Sequence, residues 1–294
     1  MAVMRPQDEE ETALSVSRRK SPDASDGESQ FDAIPGIQWE QMPDLHFPSL
    51  FAAWPGMGNV ALNAARYLTG RLRMEQFGRI EAKPFASVEG IQIKDQKLLP
   101  LRLPEFRFYF YKHPENRGDL VLFIGDTQPL PHQGFAFAHL VLRAAEFWRV
   151  QRVYTSAALA SSISHMDTPR VWGVATHHDL WSDLEKSGIS PLRDGSISGL
   201  NGLMLGVAKQ VGFEGICLLG ELPYYTIGTD NPKSSLAVLE KLCGFWNLRV
   251  DFSDLREEAL RKEMEIEEYI RQREGGTVSE EMLQQGDSGP EIPQ

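Results

Sequence analysis

A glycine-rich turn that could bind a phosphate group follows the first strand that the sequence predicts. Residues 56–61 read Gly-Met-Gly-Asn-Val-Ala. Gly56, Gly58 and Ala61 match the G-x-G-x-x-[G/A] pattern, in which amides at a helix N-terminus bind a dinucleotide pyrophosphate. Glu81 lies at about the separation where that fold places an acidic ribose ligand. A hairpin pattern follows instead of a second helix, so we interpret the motif as a tight strand-to-helix turn and expect no cofactor.

Polar residues at the ends of other predicted strands and helices extend this candidate site. Asp126 and Gln128 follow one apolar run, and Glu221 follows another. Ligands of open α/β sheets bind at the carboxyl ends of strands, although Asp and Gln near a proline also form turns. The loops contain no Arg or Lys, which a phosphate site normally uses. The candidate ligand-binding residues are Gly56, Gly58, Asn59, Asp126, Gln128, Asn201 and Glu221.

Motifs for metal binding and nucleophilic catalysis lack the context that they need. Residues 177–179 read His-His-Asp, but neighbouring side chains do not converge on one point, and we predict a helix start and no metal site. Cys217 and Cys243 are expected to be small buried hydrophobic residues. The Gly-Asp-Ser-Gly-Pro sequence at 286–290 is similar to a serine-protease loop but lies in a polar tail. We assign no catalytic residue.

Alternating apolar strands and helices must position these loops. Residues 199–211 carry apolar side chains at helical spacing, and the run at 216–219 is typical of a buried strand. A short hairpin is predicted at 91–98, a last short strand at 248–251, and a highly charged helix from Asp254 to about Arg273. The pattern predicts an α/β fold, a three-layer sandwich around a mainly parallel mixed sheet. Further strands are predicted at 50–54, 106–111, 120–124, 153–159 and 170–175.

The predicted helix at 134–149 is apolar around almost its whole circumference. Such a helix should be buried on all sides, so one side packs on the sheet and the other needs a cover. That cover is either a second subunit or another part of the same chain. A homo-oligomer is therefore expected, with Phe135, Phe137, Val141 and Trp148 as interface candidates.

Composition limits the classes of partner and the cellular location. The formal net charge is −11, and no cluster of Lys and Arg lies in the predicted folded part, so neither nucleic acid nor a membrane surface is an expected partner. The sequence has no signal-peptide pattern and no long uncharged apolar run, so we expect a cytoplasmic protein. Polar composition predicts disordered tails at 1–35 and 275–294 around a single domain at 36–274.

Several short motifs occur in an order that resembles one known family. The resemblance extends from about Phe47 to Tyr269 and is to the proteasome assembly chaperone 2 family, in its bacterial or archaeal form. It implies a fold related to that of nucleoside phosphorylases, no established catalytic activity, and in some members a role in assembling the α-subunit ring of the proteasome. The motifs are the glycine-rich turn, the proline-bounded segment before Arg-Phe-Tyr-Phe-Tyr at 107–111, and the loops at 125–129, 199–202 and 219–225.

Two functions remain open from the sequence. The resemblance implies a non-enzymatic oligomeric scaffold whose partners include proteasome α-type subunits. Some members of that family dock through a C-terminal hydrophobic-Tyr-any tripeptide, whereas this sequence ends Ile292-Pro293-Gln294, so docking of that kind is not expected. The alternative comes from the residues themselves. It is an enzyme or binding protein for a nucleoside, a nucleotide or another small anion at the glycine-rich loops.

Overall fold

The computed structural model of the chain describes residues 34–87, 90 and 93–285. Ile34 is 4% exposed and packs in the core, so the folded part includes the first residue described. Residues 1–33 of the predicted N-terminal tail lie outside the described residues. The same holds for residues 286–294, which include the Gly-Asp-Ser-Gly-Pro motif and the C-terminal tripeptide.

Nine strands of the described residues form one mixed sheet. In spatial order they are β1 (Ile37–Trp39), β3 (Glu75–Ile80), β6 (Phe106–Tyr111), β7 (Leu120–Gly125), β2 (Ser49–Ala53), β8 (Arg152–Ser161), β11 (Glu214–Pro223), β9 (Val171–Ala175) and β10 (Ser190–Pro191). The four central strands, from β7 to β11, are parallel to one another. Every residue of β7 is buried, because helices cover both faces of the sheet. Antiparallel strands flank this centre on both sides.

Helices form a layer on each face of the sheet and produce two large hydrophobic cores, and a third, small cluster lies around Cys217 and Leu219. The helices are α1 (Val60–Arg71), α2 (Gly134–Phe147), α3 (Trp181–Lys186), α4 (Gly199–Gln210), α5 (Pro232–Phe245) and α6 (Ser253–Gln285). Apolar residues of α1 and α5 belong to one core, and those of α2 and α4 belong to the other. The prediction of a three-layer α/β sandwich around a mixed sheet with a parallel centre is confirmed.

The hairpin, the last short strand and the last helix differ from their predictions. The hairpin consists of β4 (Ile93–Lys94) and β5 (Lys97–Leu98), and residues 91 and 92 lie outside the described part. Residues 248–251 form no strand. The last helix, α6, continues past the predicted end near Arg273 to Gln285. Among the described residues, none of the helices is long and apolar enough to cross a membrane.

Helix α2 is covered mainly by its own chain. Phe137 and Val141 are fully buried, and the Phe137 ring lies 4.7 Å from that of Phe106. These two residues therefore pack in the core and cannot face a partner, which corrects their prediction as interface residues. Trp148 is partly buried, with its ring 5.5 Å from that of Trp39. Phe135 is 51% exposed and remains an interface candidate.

Candidate functional site

A cavity of about 340 Å³ lies at the carboxyl ends of the central parallel strands. This is the edge of the sheet at which ligand sites of open α/β folds are found. The segment after β2, the last part of β8, the loop before α4 and the first turn of α4 form its walls. Three predicted site residues line it together: Gly56, Gln128 and Asn201. We call it the Asn201 cavity.

Gln128 ties two walls of the Asn201 cavity together. Its Nε2 donates to the carbonyl oxygen of Pro55 at 2.6 Å, and its Oε1 accepts from the backbone N–H of Leu200 at 3.0 Å. The second bond satisfies one of the N–H groups that have no partner inside the helix at the start of α4. Both ends of the amide are therefore used within the chain, and Gln128 positions the site.

Asn201 lines the cavity, and one buried atom of its side chain has no hydrogen-bond partner among the described residues. The residue is 4% exposed, and its Oδ1 has no hydrogen-bond partner among the described residues. Its Nδ2 lies beside Gly56, since a Cβ added at Gly56 would be 3.8 Å from that atom. A buried acceptor without a partner costs about 1–3 kcal/mol, and this cost falls on the folded chain itself because the oxygen is shielded from the cavity.

Gly58 and Asn59 do not line the cavity, and their contacts form a tight turn. Gly58 is buried with a φ of +59°, and its N–H donates to the carbonyl oxygen of Ile227 at 3.3 Å. A Cβ at Gly58 would lie 2.8 Å from Leu222 Cδ2, so a residue with a side chain does not fit at this position. Asn59 Nδ2 donates to Asp230 Oδ1 at 2.6 Å. These contacts agree with the interpretation of the G-x-G-x-x-A pattern as a structural turn.

Asp126 and Glu221 also lie outside the Asn201 cavity. Asp126 forms an ion pair with Arg66 at 3.3 Å and accepts from the backbone N–H of Glu105 at 3.2 Å. Glu221 is 2% exposed, and its Oε2 accepts from the backbone N–H of Arg170 at 3.2 Å and from Arg170 Nε at 3.4 Å. The expectation that these carboxylates converge with Asn201 is therefore wrong, because each pairs with a neighbouring loop.

A polar cluster around the buried His165 connects α6 to the core, and no sequence motif indicated it. His165 is 7% exposed, and its Nδ1 lies 2.9 Å from Tyr225 Oη. Because Tyr225 Oη already accepts from the His165 backbone N–H at 2.8 Å, its own hydrogen points to Nδ1. The His165 Nε2–H then donates to Glu267 Oε2 at 3.0 Å. These residues are 60 and 102 positions apart from His165, so no local motif indicates them.

Lys233 supplies the second half of this cluster. Its Nζ donates to the carbonyl oxygens of His165 and Met166, at 3.0 Å each. The same ammonium group pairs with Glu263 of α6, whose side chain is 13% exposed. We call His165, Tyr225, Lys233, Glu263 and Glu267 the α6 cluster. It fixes the position of α6 on α5 and on the segment after β8.

The two cysteines are buried free thiols, as the sequence predicts. Burial raises the pKa of Cys217 from its ordinary value of 9.0 to about 11 and that of Cys243 to about 12. Both thiols are therefore protonated at neutral pH, and neither supplies the thiolate that nucleophilic catalysis requires.

The raised thiol pKa values predict a loss of stability in alkali. Above pH 9.0 the unfolded chain releases these protons while the folded chain retains them, so the free energy of unfolding falls as pH rises through about 11. The slope is at most about 1.4 kcal/mol per pH unit for each thiol. We expect Cys243→Val to reduce the slope measured by urea unfolding between pH 9 and 11. An unchanged slope in this variant would contradict the assignment.

The His-His-Asp sequence begins a helix, as predicted. His178–Leu180 form a 3-10 turn that leads into α3, and His177 Nδ1 lies 2.8 Å from Thr176 Oγ1. Within the described part of the chain, no group of three or more His, Cys, Asp or Glu residues is arranged to hold a metal ion.

A second concave surface lies between α6 and the turn after β11. It has a volume of about 720 Å³ and is lined by Tyr225, Thr226, Thr229, Lys262, Glu265, Ile266, Tyr269, Ile270 and Arg273. We call it the α6 groove. Tyr225 and Tyr269 are 57% and 58% exposed, and Ile227 nearby in sequence is 38% exposed. Large aromatic residues are therefore presented to solvent beside charged ones.

Comparison with known proteins gives a consistent set of similarities. The model of the PAC2 family matches residues 50–270. The uncharacterized protein MJ1210 of Methanocaldococcus jannaschii is 29% identical over 243 residues, which cover 82% of this chain and 88% of that protein. PbaB of Pyrococcus furiosus, an archaeal proteasome activator, is 27% identical to this chain in sequence. Its crystal structure aligns with a TM-score of 0.68 over 81% of this chain and 98% of PbaB. PbaA of the same organism, an archaeal homolog of proteasome-assembly chaperone, shares the fold at 22% identity, with a TM-score of 0.63 and coverage of 86% and 100%.

Proposed function

This chain belongs to the PAC2 family, and we propose that it is a non-enzymatic scaffold that binds proteasome α-type subunits and associates with itself. Two relatives with the same fold support the choice of partner, since one is described as a proteasome activator and the other as a homolog of a proteasome-assembly chaperone. The observation that carries the proposal is the exposed aromatic surface of the α6 groove.

The α6 groove has the composition of a protein-binding surface. Tyrosine side chains combine a large apolar area with a polar tip, and they are enriched at the energetically important centres of protein interfaces. Tyr225 and Tyr269 present such surfaces, and Lys262 and Glu265 supply a charged rim. Tyr225 is also held in place by His165, so the groove is preorganised for a partner. A groove of this kind accommodates apolar side chains of a protein subunit.

Self-association is assigned to a different surface. Phe135 on α2 is 51% exposed, and Leu203 on α4 is 38% exposed. Leu203 lines a concavity of about 530 Å³ together with Pro131 and Gly134. Exposed apolar residues around a concavity are typical of contacts between subunits, where both partners bury the same patch. Phe135 is an exposed residue of α2 that the sequence predicted at an interface, so this surface keeps that residue as a candidate.

Native mass spectrometry of the protein purified from its own cells tests both assignments. Two matched double variants are expressed from the native locus. One combines Tyr269→Glu in the α6 groove with Ile227→Glu on the exposed turn beside it, and the other combines Phe135→Glu with Leu203→Glu on the second surface. We expect the groove variant to lose α-type subunits by about tenfold or more while it retains self-association. The Phe135 variant should show the opposite result.

Two results would contradict the proposal. If the wild-type protein carries no α-type subunit, the client assignment is wrong, whatever other proteins are present. If the Phe135 variant remains an oligomer of the same size as the wild type, the assignment of the self-association surface is wrong. The melting temperatures of both variants, measured in parallel, show whether a loss of binding is caused by a loss of folding.

A further inference from the structure

We infer that the Asp194–Gly195 pair is a site of spontaneous isomerisation, at which the folded chain slowly converts Asp194 to isoaspartate. The pair lies in the loop before α4, in the wall of the Asn201 cavity. This modification is independent of the proposed scaffold function. Three features of the loop indicate it: the residue pair itself, the exposure of both residues, and the lack of hydrogen bonds to them among the described residues.

An aspartate followed by glycine can react with its own backbone. The Gly195 nitrogen attacks Asp194 Cγ, and an N–Cγ bond forms while the amide hydrogen and the carboxyl hydroxyl group leave as water. Water then adds to the α-carbonyl carbon of the cyclic imide and breaks its bond to the nitrogen. The main chain afterwards runs through Cβ and Cγ of Asp194, and the α-carboxylate is free. Glycine favours the attack because it has no Cβ to obstruct it.

The structure leaves this pair unhindered. Asp194 and Gly195 are both exposed and lie outside helices and strands. Within the part of the chain that the structure describes, neither the Asp194 carboxylate nor the Gly195 N–H has a hydrogen-bond partner. Rotation that brings the nitrogen to Cγ therefore breaks no bond that these groups make within the described chain. Gly195 has a φ of +148°, a conformation that favours glycine, so the loop itself requires the reactive pair.

A second pair in the same segment shows what the fold contributes. By sequence, Asn201–Gly202 is the more reactive type, because an amide is a better electrophile than an ionised carboxylate. It lies in α4, where Asn201 is 4% exposed and Gly202 supplies the first N–H that is bonded within the helix. Imide formation there would break that bond, and the Ile197 carbonyl oxygen packs directly against Gly202. We therefore expect Asp194 to react in the folded chain and Asn201 only after unfolding.

Isomerisation at Asp194 changes the wall of the Asn201 cavity. Residues 194–199 all line this cavity. The product lengthens the main chain of the loop by one methylene group and moves the carboxylate from the end of the side chain to Cα. Chains that have reacted therefore have a cavity entrance of different shape from newly made chains.

A single peptide reports both pairs. Cleavage after Arg193 and Lys209 releases residues 194–209, which contain Asp194 and Asn201. The full chain is incubated at neutral pH in heavy-oxygen water, well below its melting temperature, and is then digested in ordinary water. Each passage through the imide leaves one heavy oxygen atom at the reacting residue, and fragment masses distinguish isoaspartate from aspartate. A parallel sample is incubated in urea.

Two substitutions at Asp194 are matched controls, because its side chain has no partner among the described residues. Asp194→Glu keeps the charge but needs a larger ring for the same attack, so the label at this position should fall to background. Asp194→Asn makes the side chain a better electrophile and should raise the rate at this position at least about tenfold. Both variants should melt at the wild-type temperature, since an exposed side chain without contacts is exchanged.

We expect the folded wild type to gain heavy oxygen at Asp194 at least about tenfold faster than at Asn201, and urea to reverse this order. The labelled product at Asp194 should include isoaspartate. The assignment is wrong if Asp194 gains no more label than the same position in Asp194→Glu, or if it reacts in urea but not in the folded chain. It is also wrong if Asn201 is the faster site in the folded chain, or if no isoaspartate accompanies the label.

Discussion

Replacement of Gly220 by alanine should lower the free energy of unfolding by about 3 kcal/mol, because α5 packs directly on the backbone of β11 at this residue. A Cβ at Gly220 would lie 2.3 Å from Ser234 Oγ, 3.0 Å from the Ser234 carbonyl oxygen and 3.0 Å from Val238 Cγ2. Neither strand nor helix can move freely, since β11 is hydrogen-bonded to strands on both sides. Urea unfolding, followed by circular dichroism, measures the change.

A double-mutant cycle separates this clash from other effects of the substitution. Ser234 Oγ is buried without a hydrogen-bond partner among the described residues, so Ser234→Ala alone should be close to neutral. The combination of Ser234→Ala with Gly220→Ala should recover at least about 1 kcal/mol, because the closest contact is removed. Gly206→Ala, where the added Cβ meets nothing within 4 Å, is the control and should not destabilise. A Gly220→Ala variant as stable as wild type would show that α5 is not packed as described.

The fold could be predicted where local pattern and burial agree. Strand β7 is buried along its whole length, and α2 is apolar around most of its surface. Uninterrupted apolar composition is typical of buried elements, so both could be predicted from the sequence. Residues 248–251 were predicted as a strand because they resemble one locally. In the structure, the carbonyl oxygen of Asp251 instead accepts from Tyr67 Oη and from Arg71 Nη2, both at 2.8 Å. None of the strands in the described part of the chain pairs with residues 248–251. A strand needs a partner, and the local pattern does not reveal one.

The candidate site was predictable only in part, for a related reason. Strand-end loops could be identified, and three of their residues do meet at the Asn201 cavity. Which side chains converge depends on loops that are distant in sequence. Asp126 pairs with Arg66 and Glu221 pairs with Arg170, so both carboxylates are drawn out of the expected site. The α6 cluster could not be predicted at all, because its members come from separate segments that only the packing of α6 brings together.

Replacement of Lys233 by methionine should lower the free energy of unfolding by about 3 kcal/mol and release α6 from the core. The substitution removes the ammonium group that pairs with Glu263 and donates to the carbonyl oxygens of His165 and Met166. The Glu263 carboxylate would lose its counter-charge in a site where its side chain is 13% exposed, and removal of one partner of a buried ion pair costs about 3–5 kcal/mol. Urea unfolding measures the loss, and hydrogen exchange of α6 amides locates it.

The double variant Lys233→Met with Glu263→Leu distinguishes an unpaired charge from a general loss of packing. When both charges are replaced by apolar side chains, the free energy of unfolding should recover by at least about 1 kcal/mol relative to Lys233→Met, while the hydrogen bonds to the carbonyl oxygens of His165 and Met166 stay lost. If α6 is released in the single variant, the α6 groove loses the wall that carries Tyr269, and α-type subunits should no longer be captured. The double variant should then recover capture together with stability. Recovery of stability without capture would show that the charged pair itself contacts the partner, and failure of both would contradict the role assigned to Lys233.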